Sequence, residues 1–289
     1  MKVNLSVLNQ IASFVRDPAP EHVFELSEEG IAFSRGEEIG FAPFEPGTLV
    51  VSPVTDNFRR PEAAAATLAR AIPLESGTRR RAALILPDYC ARVSVLDFDS
   101  FPKEAAEQLS LVRFRLKKTL PFDADSAAVS YFAQAEKQTG KREVVAAAVS
   151  FDVIARYEAL FRAANFHPGE VTTASLAALH LFDSPGVSVV AKLAGETLTV
   201  MVVADGVLKL YRCVEMENAA EEDVLLVIYP TLAYVEDELG TKVESLVLCG
   251  FPHGALAKLE LPIEVLQSPM GTGEPTNVGL LGYLRGARN

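Results

Sequence analysis

Residues 84–132 read LILPDYCARVSVLDFDSFPKEAAEQLSLVRFRLKKTLPFDADSAAVSYF. The opening run continues an apolar segment from Ala82 to Leu86, which is the composition of a buried central strand covered on both faces. Pro87 ends it. A second strand follows from Arg92 to Phe98, then a helix opening at Pro102. That helix runs into a basic end, Arg113, Arg115, Lys117 and Lys118, and stops at Leu120-Pro121-Phe122. A strand from Ala127 to Ala133 completes the segment, so a small α/β unit is inserted after the central strand, over about residues 88–141.

Upstream, residues 4–15 carry a helical apolar stripe through Leu5, Leu8, Ile11, Ala12 and Val15. The Asp17-Pro18-Ala19-Pro20 cluster ends it. Two short strands, Val23–Leu26 and Ile31–Ser34, flank a Glu-Glu-Gly turn, and a third strand is expected near Thr48–Ser52. Residues 61–72 form a helix with Pro at its first turn. Downstream come a strand over Val144–Val149, a helix over Phe151–Asn165 stopped by Asn165 and Pro168, and a helix over Ser175–Phe182. Asp183-Ser184-Pro185-Gly186 marks a boundary.

The second half restarts the same plan. Strands Val187–Leu193, Thr197–Val203 and Val207–Val214 are separated by glycine turns, with Asp205-Gly206 a strong hairpin signal. A helical segment from Ala219 to Leu239 contains Pro230, which is expected to kink or split it. A strand over Leu246–Cys249, a short helix over Pro252–Leu259 and a closing helix over Asn277–Leu284 follow. The β-β-β-α-β-α order thus occurs twice, which predicts a two-lobed α/β protein: an extension to residue 20, a first lobe over 21–186 and a second over 187–289.

The 289 residues are long enough to bury a sizeable core without a metal or disulfide staple. The net charge of −11 argues against nucleic acid or an anionic lipid surface as a partner. Cys90, Cys213 and Cys249 are far apart and lack metal-ligand spacing, which suits a reducing compartment, and Cys213 and Cys249 sit in apolar strand patterns as small buried residues. Residues 1–16 do not read as a signal peptide, and no apolar run reaches the length of a membrane span.

The strand-Pro junction, the inserted strand-helix and its Pro-Phe turn, and residues 144–171, VVAAAVSFDVIARYEALFRAANFHPGEV, resemble the type IV pilus assembly PilM family over about residues 20–286. That family is actin-like and related to the division protein FtsA. The resemblance implies a two-lobed actin-like fold, a duplicated ribonuclease H-like ATPase architecture with a subdomain inserted in the first lobe. It further implies two phosphate hairpins, each with an Asp-x-Gly, and a glycine pair after a late strand. At the first hairpin this chain has Glu25 for the Asp and lacks the glycine. At the second it has Lys192-Leu193-Ala194 followed by Gly195, so a cation replaces the carboxylate. At the third, Gly250 is followed by Phe251. Glu215, Glu217, Glu221, Glu222 and Asp223 would repel a polyphosphate.

These departures predict a fold that has lost nucleotide chemistry, with Glu25, Lys192, Gly195 and Gly250 as its vestiges and no cofactor or metal. A nucleotide-regulated protein that keeps weak ATP binding is the alternative. An actin-like-fold kinase lacks its hairpins here, and no GxSxG or histidine motif supports a hydrolase. The resemblance implies a cytoplasmic scaffold of a type IV pilus or related secretion machine, recruited to the inner membrane. Its partner would be the cytoplasmic tail of a PilN-like membrane protein, held near Arg92, Val93, Arg113, Leu116, Lys117, Pro121 and Phe122.

Overall fold

A computed structural model describes residues 20–36, 38–73, 80–134, 141–182, 185–266 and 277–287. The expected helix at residues 4–15 lies outside them. The first lobe begins with strands β1 (His22–Ser27), β2 (Gly30–Arg35) and β3 (Glu38–Pro43), helix α1 (Pro61–Ala71) and strand β4 (Arg80–Leu86). The insertion supplies β5 (Ala91–Phe98), α2 (Ala105–Leu116), β6 (Ala127–Ala133) and β7 (Arg142–Ser150). Helix α3 (Phe151–Ala163), β8 (Phe166–Thr173) and the short α4 (Ala174–Ala178) follow. The second lobe contains β9 (Val187–Ala194), β10 (Thr197–Ala204), β11 (Val207–Glu215), α5 (Glu221–Leu239), β12 (Ser245–Cys249) and β13 (Ile263–Leu266), and α6 (Val278–Ala287) closes the chain.

Both lobes contain a five-stranded sheet of one order. The first is β3-β2-β1-β4-β8 and the second β11-β10-β9-β12-β13. In each, the first three strands form an antiparallel meander and the last two join the first in parallel. The internal repeat read from the sequence is therefore a duplicated sheet. Asp205 and Gly206 both have positive φ (50° and 75°), as the tight turn between β10 and β11 requires.

The insertion forms a third, antiparallel sheet, β5-β7-β6. Its central strand is β7, so the inserted unit runs to Ser150, past the expected limit at residue 141. Side-chain alternation gives this sheet two apolar faces. Phe98, Val144, Ala146 and Ala148 pack under Val112 and Leu116 of α2. Val93, Val95, Val145 and Phe132 belong to a different layer, with Met201, Leu208 and Tyr211 of the second lobe. Helix α6 departs from the expected second-lobe placement too: it packs against α4, with Leu280 joining Val23, Ala83 and Ala177 in a first-lobe cluster.

Several local expectations are corrected. The third strand lies at β3, whereas Thr48–Ser52 forms a loop with one bridge, Leu49 to Phe58. Its backbone bonds turn to local groups instead: Val50 N donates to Asn57 O and Ser52 N to Asn57 Oδ1. Asn165 stops α3 with φ 62°, but Phe166–Thr173 continues as a strand, with Pro168 on the sheet edge and the register shift of its ladder falling opposite Ala82/Ala83. Helix α5 runs unbroken through Pro230, because Val224, Ile228, Thr231 and Val235 are buried along it. Residues 252–259 are turns rather than a helix, and β13 follows them.

Candidate functional site

The two sheets meet at a cleft whose floor is made by three charged side chains from three strands. Glu25 is on β1, Asp88 directly follows β4 and Pro87, and Lys192 is on β9. All three are buried, at 6%, 2% and 6% exposed. Lys192 Nζ donates to Asp88 Oδ2 at 3.0 Å. Asp88 Oδ2 also accepts from Ser175 Oγ at 2.6 Å and from Thr199 Oγ1 at 3.2 Å, and Oδ1 accepts from Ser175 N at 2.7 Å. Thr199 lies opposite Lys192 in the β9–β10 register, which brings both donors to one carboxylate. Because Asp88 belongs to the first lobe and Lys192 to the second, this network fastens the lobes together.

Glu25 serves another element. Its Oε2 accepts the N–H of Leu280 at 2.7 Å, so it caps the first turn of α6. Burial pushes its carboxyl up to about 7, against the opposing pull of Lys192 and of the Leu280 N–H. Burial opposes charge at Asp88 and Lys192 too. There the ion pair outweighs it: Asp88 is held below its ordinary carboxylate range, helped by Ser175, and Lys192 above its ordinary ammonium range. The cation is thus internal and paired with Asp88. Burial also raises all three thiols, Cys90, Cys213 and Cys249, to about 12, so none is a thiolate at neutral pH.

Above this floor is a cleft of about 430 Å³, between the tips of the β1–β2 and β9–β10 hairpins. Gly195 and Gly250 both line it with positive φ, 57° and 77°. At Gly250 a Cβ would come within 2.1 Å of Leu193 O, so the backbone there crosses β9 where no side chain fits. Glu28 and Glu29 line the same cleft, and Glu28 Oε1 accepts Val51 N at 2.8 Å. Among the described residues no group of three or more His, Cys, Asp or Glu is placed to hold a metal ion. A polyphosphate entering here would meet carboxylates at the hairpin tip and an ammonium already neutralised.

All four positions expected to be vestiges of a nucleotide site, Glu25, Lys192, Gly195 and Gly250, are brought to this one cleft. Asp88 is the member that sequence reasoning missed. The available signal was its position just past the carboxyl end of a central parallel strand, where α/β sheets collect functional groups.

The seven residues expected to bind a partner do not share one groove. Leu116 is fully buried on the face of α2 that packs on the inserted sheet, and Val93 faces the second lobe. Arg113 donates to the carbonyls of Ala124 and Ala127, and so holds the following turn. Arg92 donates to Ala91 O at 3.1 Å and lies over the Tyr89 ring. Phe122 packs on the α2 core, while Lys117 and Pro121 are exposed.

No protein family and no curated protein matches the sequence. Solved structures do match. The fold is the two-lobed α/β fold of the actin-like ATPases, shared with a Bacteroides thetaiotaomicron protein of actin-like ATPase fold and unknown function (TM-score 0.54, 13% identity, 94% of this chain and 98% of that one). A chain of the PilM–PilN type IV pilus biogenesis complex superposes with a TM-score of 0.70 at 15% identity, over 94% of this chain and 99% of that one. The cytoplasmic domain of EpsL, an inner-membrane component of the Vibrio cholerae type II secretion system, follows at 0.53 and 15%, over 93% and 94%.

Proposed function

We propose that this protein is a non-catalytic scaffold of a pilus or secretion machine, holding the cytoplasmic tail of a PilN-like membrane protein. The likeness to the PilM–PilN complex and to the EpsL cytoplasmic domain supports that setting. Among the described residues no helix is long and apolar enough to cross a membrane, which fits a scaffold brought to the inner membrane by its partner. The observation that carries the non-catalytic reading is the Lys192–Asp88 ion pair. It occupies the floor of the cleft with the chain's own cation and joins the lobes through their own side chains.

Calorimetric titration with ATP, with and without magnesium, tests this. The expected result is no heat of binding up to millimolar ATP in either condition. Micromolar, magnesium-dependent binding overturns the reading and makes the protein a nucleotide-responsive switch. Failure of a membrane-protein tail peptide to bind the nucleotide-free protein would overturn the partner half separately.

A further inference from the structure

Helix α5 carries the most exposed large apolar side chain among the described residues, Leu226 at 72%, with Tyr229 beside it at 54%. The core does not use them: Val224, Ile228, Thr231 and Val235 form the buried face of this helix. With Pro230 and Ala233 they make one solvent-facing ridge at helical spacing. Glu222 continues that ridge at one end and Glu236 and Asp237 at the other, so its acidic ends stand roughly 22 Å apart. The helix holds six carboxylates and no Lys, Arg or His. Lys258 reaches it but pairs with Glu221, and Lys209, whose carbonyl accepts from Tyr234 Oη, pairs with Glu143. Lys242 lies past the helix end. Pro230 has no N–H, so the Leu226 carbonyl on this ridge lacks its helical donor.

We propose that this ridge is the docking surface for a basic amphipathic helix of another protein, apolar in its middle turns and carrying Lys or Arg toward both ends. The charge distribution selects that occupant. A second α5 would set carboxylates against carboxylates in either orientation, because both ends of the ridge are acidic. An anionic lipid surface is repelled for the same reason. A helix suits the shape, since Leu226, Tyr229 and Ala233 follow a row of i+3 and i+4 neighbours that interdigitates with a matching row. Cations at its ends meet Glu222 on one side and Glu236 with Asp237 on the other, and a donor near its middle finds an acceptor in the Leu226 carbonyl. None of these residues lines the cleft or belongs to the inserted sheet. The surface therefore adds a second partner to the scaffold, and stands whether or not the scaffold holds a membrane-protein tail.

The test is fluorescence anisotropy of the full chain with a labelled synthetic helix of about 18 residues, long enough to span the ridge. The peptide has Leu at helical spacing in its middle and Lys at both ends; a control peptide has Glu for each Lys. The chain should bind the Lys peptide, more weakly as salt is raised, and not the Glu peptide. Leu226→Ser with Tyr229→Ser should weaken binding roughly tenfold or more. Glu222→Gln with Glu236→Gln and Asp237→Asn should weaken it too and flatten its salt dependence. All of these sites are exposed, so unchanged thermal unfolding is the control for folding. No binding of the Lys peptide up to about 1 mM overturns the proposal. So does an affinity that survives Leu226→Ser with Tyr229→Ser, which would be diffuse attraction to an acidic protein. Self-association in sedimentation, or binding to anionic vesicles, that the same pair of substitutions abolishes would give the ridge to a second copy or to a membrane instead.

Discussion

Lys192 of β9 reaches Asp88 at the end of β4 with 3.0 Å between Nζ and Oδ2, and both side chains are almost entirely out of solvent. Removing one partner of a buried pair strands an uncompensated charge, at about 3–5 kcal/mol, whereas replacing both with neutral groups is often close to even. Lys192→Met is therefore expected to lower unfolding stability by that amount. Adding Asp88→Asn should restore most of it, since Asn can accept from Ser175 N and donate to the Ser175 and Thr199 hydroxyls. Urea unfolding of the two variants measures this. A cost below about 1 kcal/mol for Lys192→Met would mean that the pair does not hold the lobes together.

Glu25 gives the stability a pH dependence opposite to that of Asp88. Its carboxyl titrates at about 7 folded against an ordinary 4.5, so its contribution is whole below about pH 4.5 and is lost as pH rises through 7. The loss is on the order of 3 kcal/mol at most. Glu25→Gln removes that dependence and keeps an acceptor for Leu280 N–H. The variant should gain on the wild type steadily between pH 5 and pH 8 in denaturant midpoint. Asp88, held below its ordinary range, contributes above that range and loses its contribution only as pH falls through its lowered pKa. Parallel pH profiles for wild type and Glu25→Gln would show that Glu25 does not titrate in this window.

The elements legible in the sequence were those whose pattern is local. β6 was expected at Ala127–Ala133 and lies there, because alternation and its flanking turn suffice to define a half-buried strand. β8 was hidden by His167-Pro168-Gly169, a run that reads as a turn and is tolerated only because β8 is a sheet edge. β13 is four residues long, with Glu264 inside it, and is a strand by virtue of its partner β12. The cleft shows the same division. Glu25 and Lys192 could be flagged one hairpin at a time, but their union with Asp88 depends on the placing of two lobes, which no local pattern encodes. Leu116 and Val93 escape a local reading for a related reason: whether an apolar side chain lines a groove or a core depends on what covers it.

Gln134, at the end of β6, grips the second lobe through both backbone groups of one residue. Its Nε2 donates to Leu208 O at 2.7 Å and its Oε1 accepts from Leu208 N at 2.9 Å, all buried. Gln134→Leu would leave both groups of Leu208 without partners, at a cost of about 2–6 kcal/mol given 1–3 for each orphaned group. The Leu208 amide should then exchange with deuterium much faster than in wild type, while amides of β1 and β4 at the centre of the first-lobe sheet change little. Equal acceleration in both places would indicate global destabilisation instead of a loosened seam between insertion and second lobe.

Gly282 lies inside α6, where replacing Gly by Ala ordinarily stabilises a helix by about 1 kcal/mol. The reverse is expected here. A Cβ at this position would come within 2.3 Å of Ala177 O and 2.6 Å of Ala178 Cα, both backbone atoms of α4 that cannot swing aside. Gly279, one turn earlier, meets Ala174 Cα at 2.8 Å in the same way, so the two helices approach along a line of missing side chains. Forcing a methyl group into that line costs about 1–3 kcal/mol of overpacking, which exceeds the helix-propensity gain when α4 and α6 stay together. Gly282→Ala should therefore lower the thermal midpoint by several degrees. The alanine most open to solvent at the helix end, Ala287, provides the contrast: Ala287→Gly should cost no more than the propensity difference. If Gly282→Ala instead raises the midpoint, α6 does not pack on α4 in solution, and the capping of its first turn by Glu25 would fail with it.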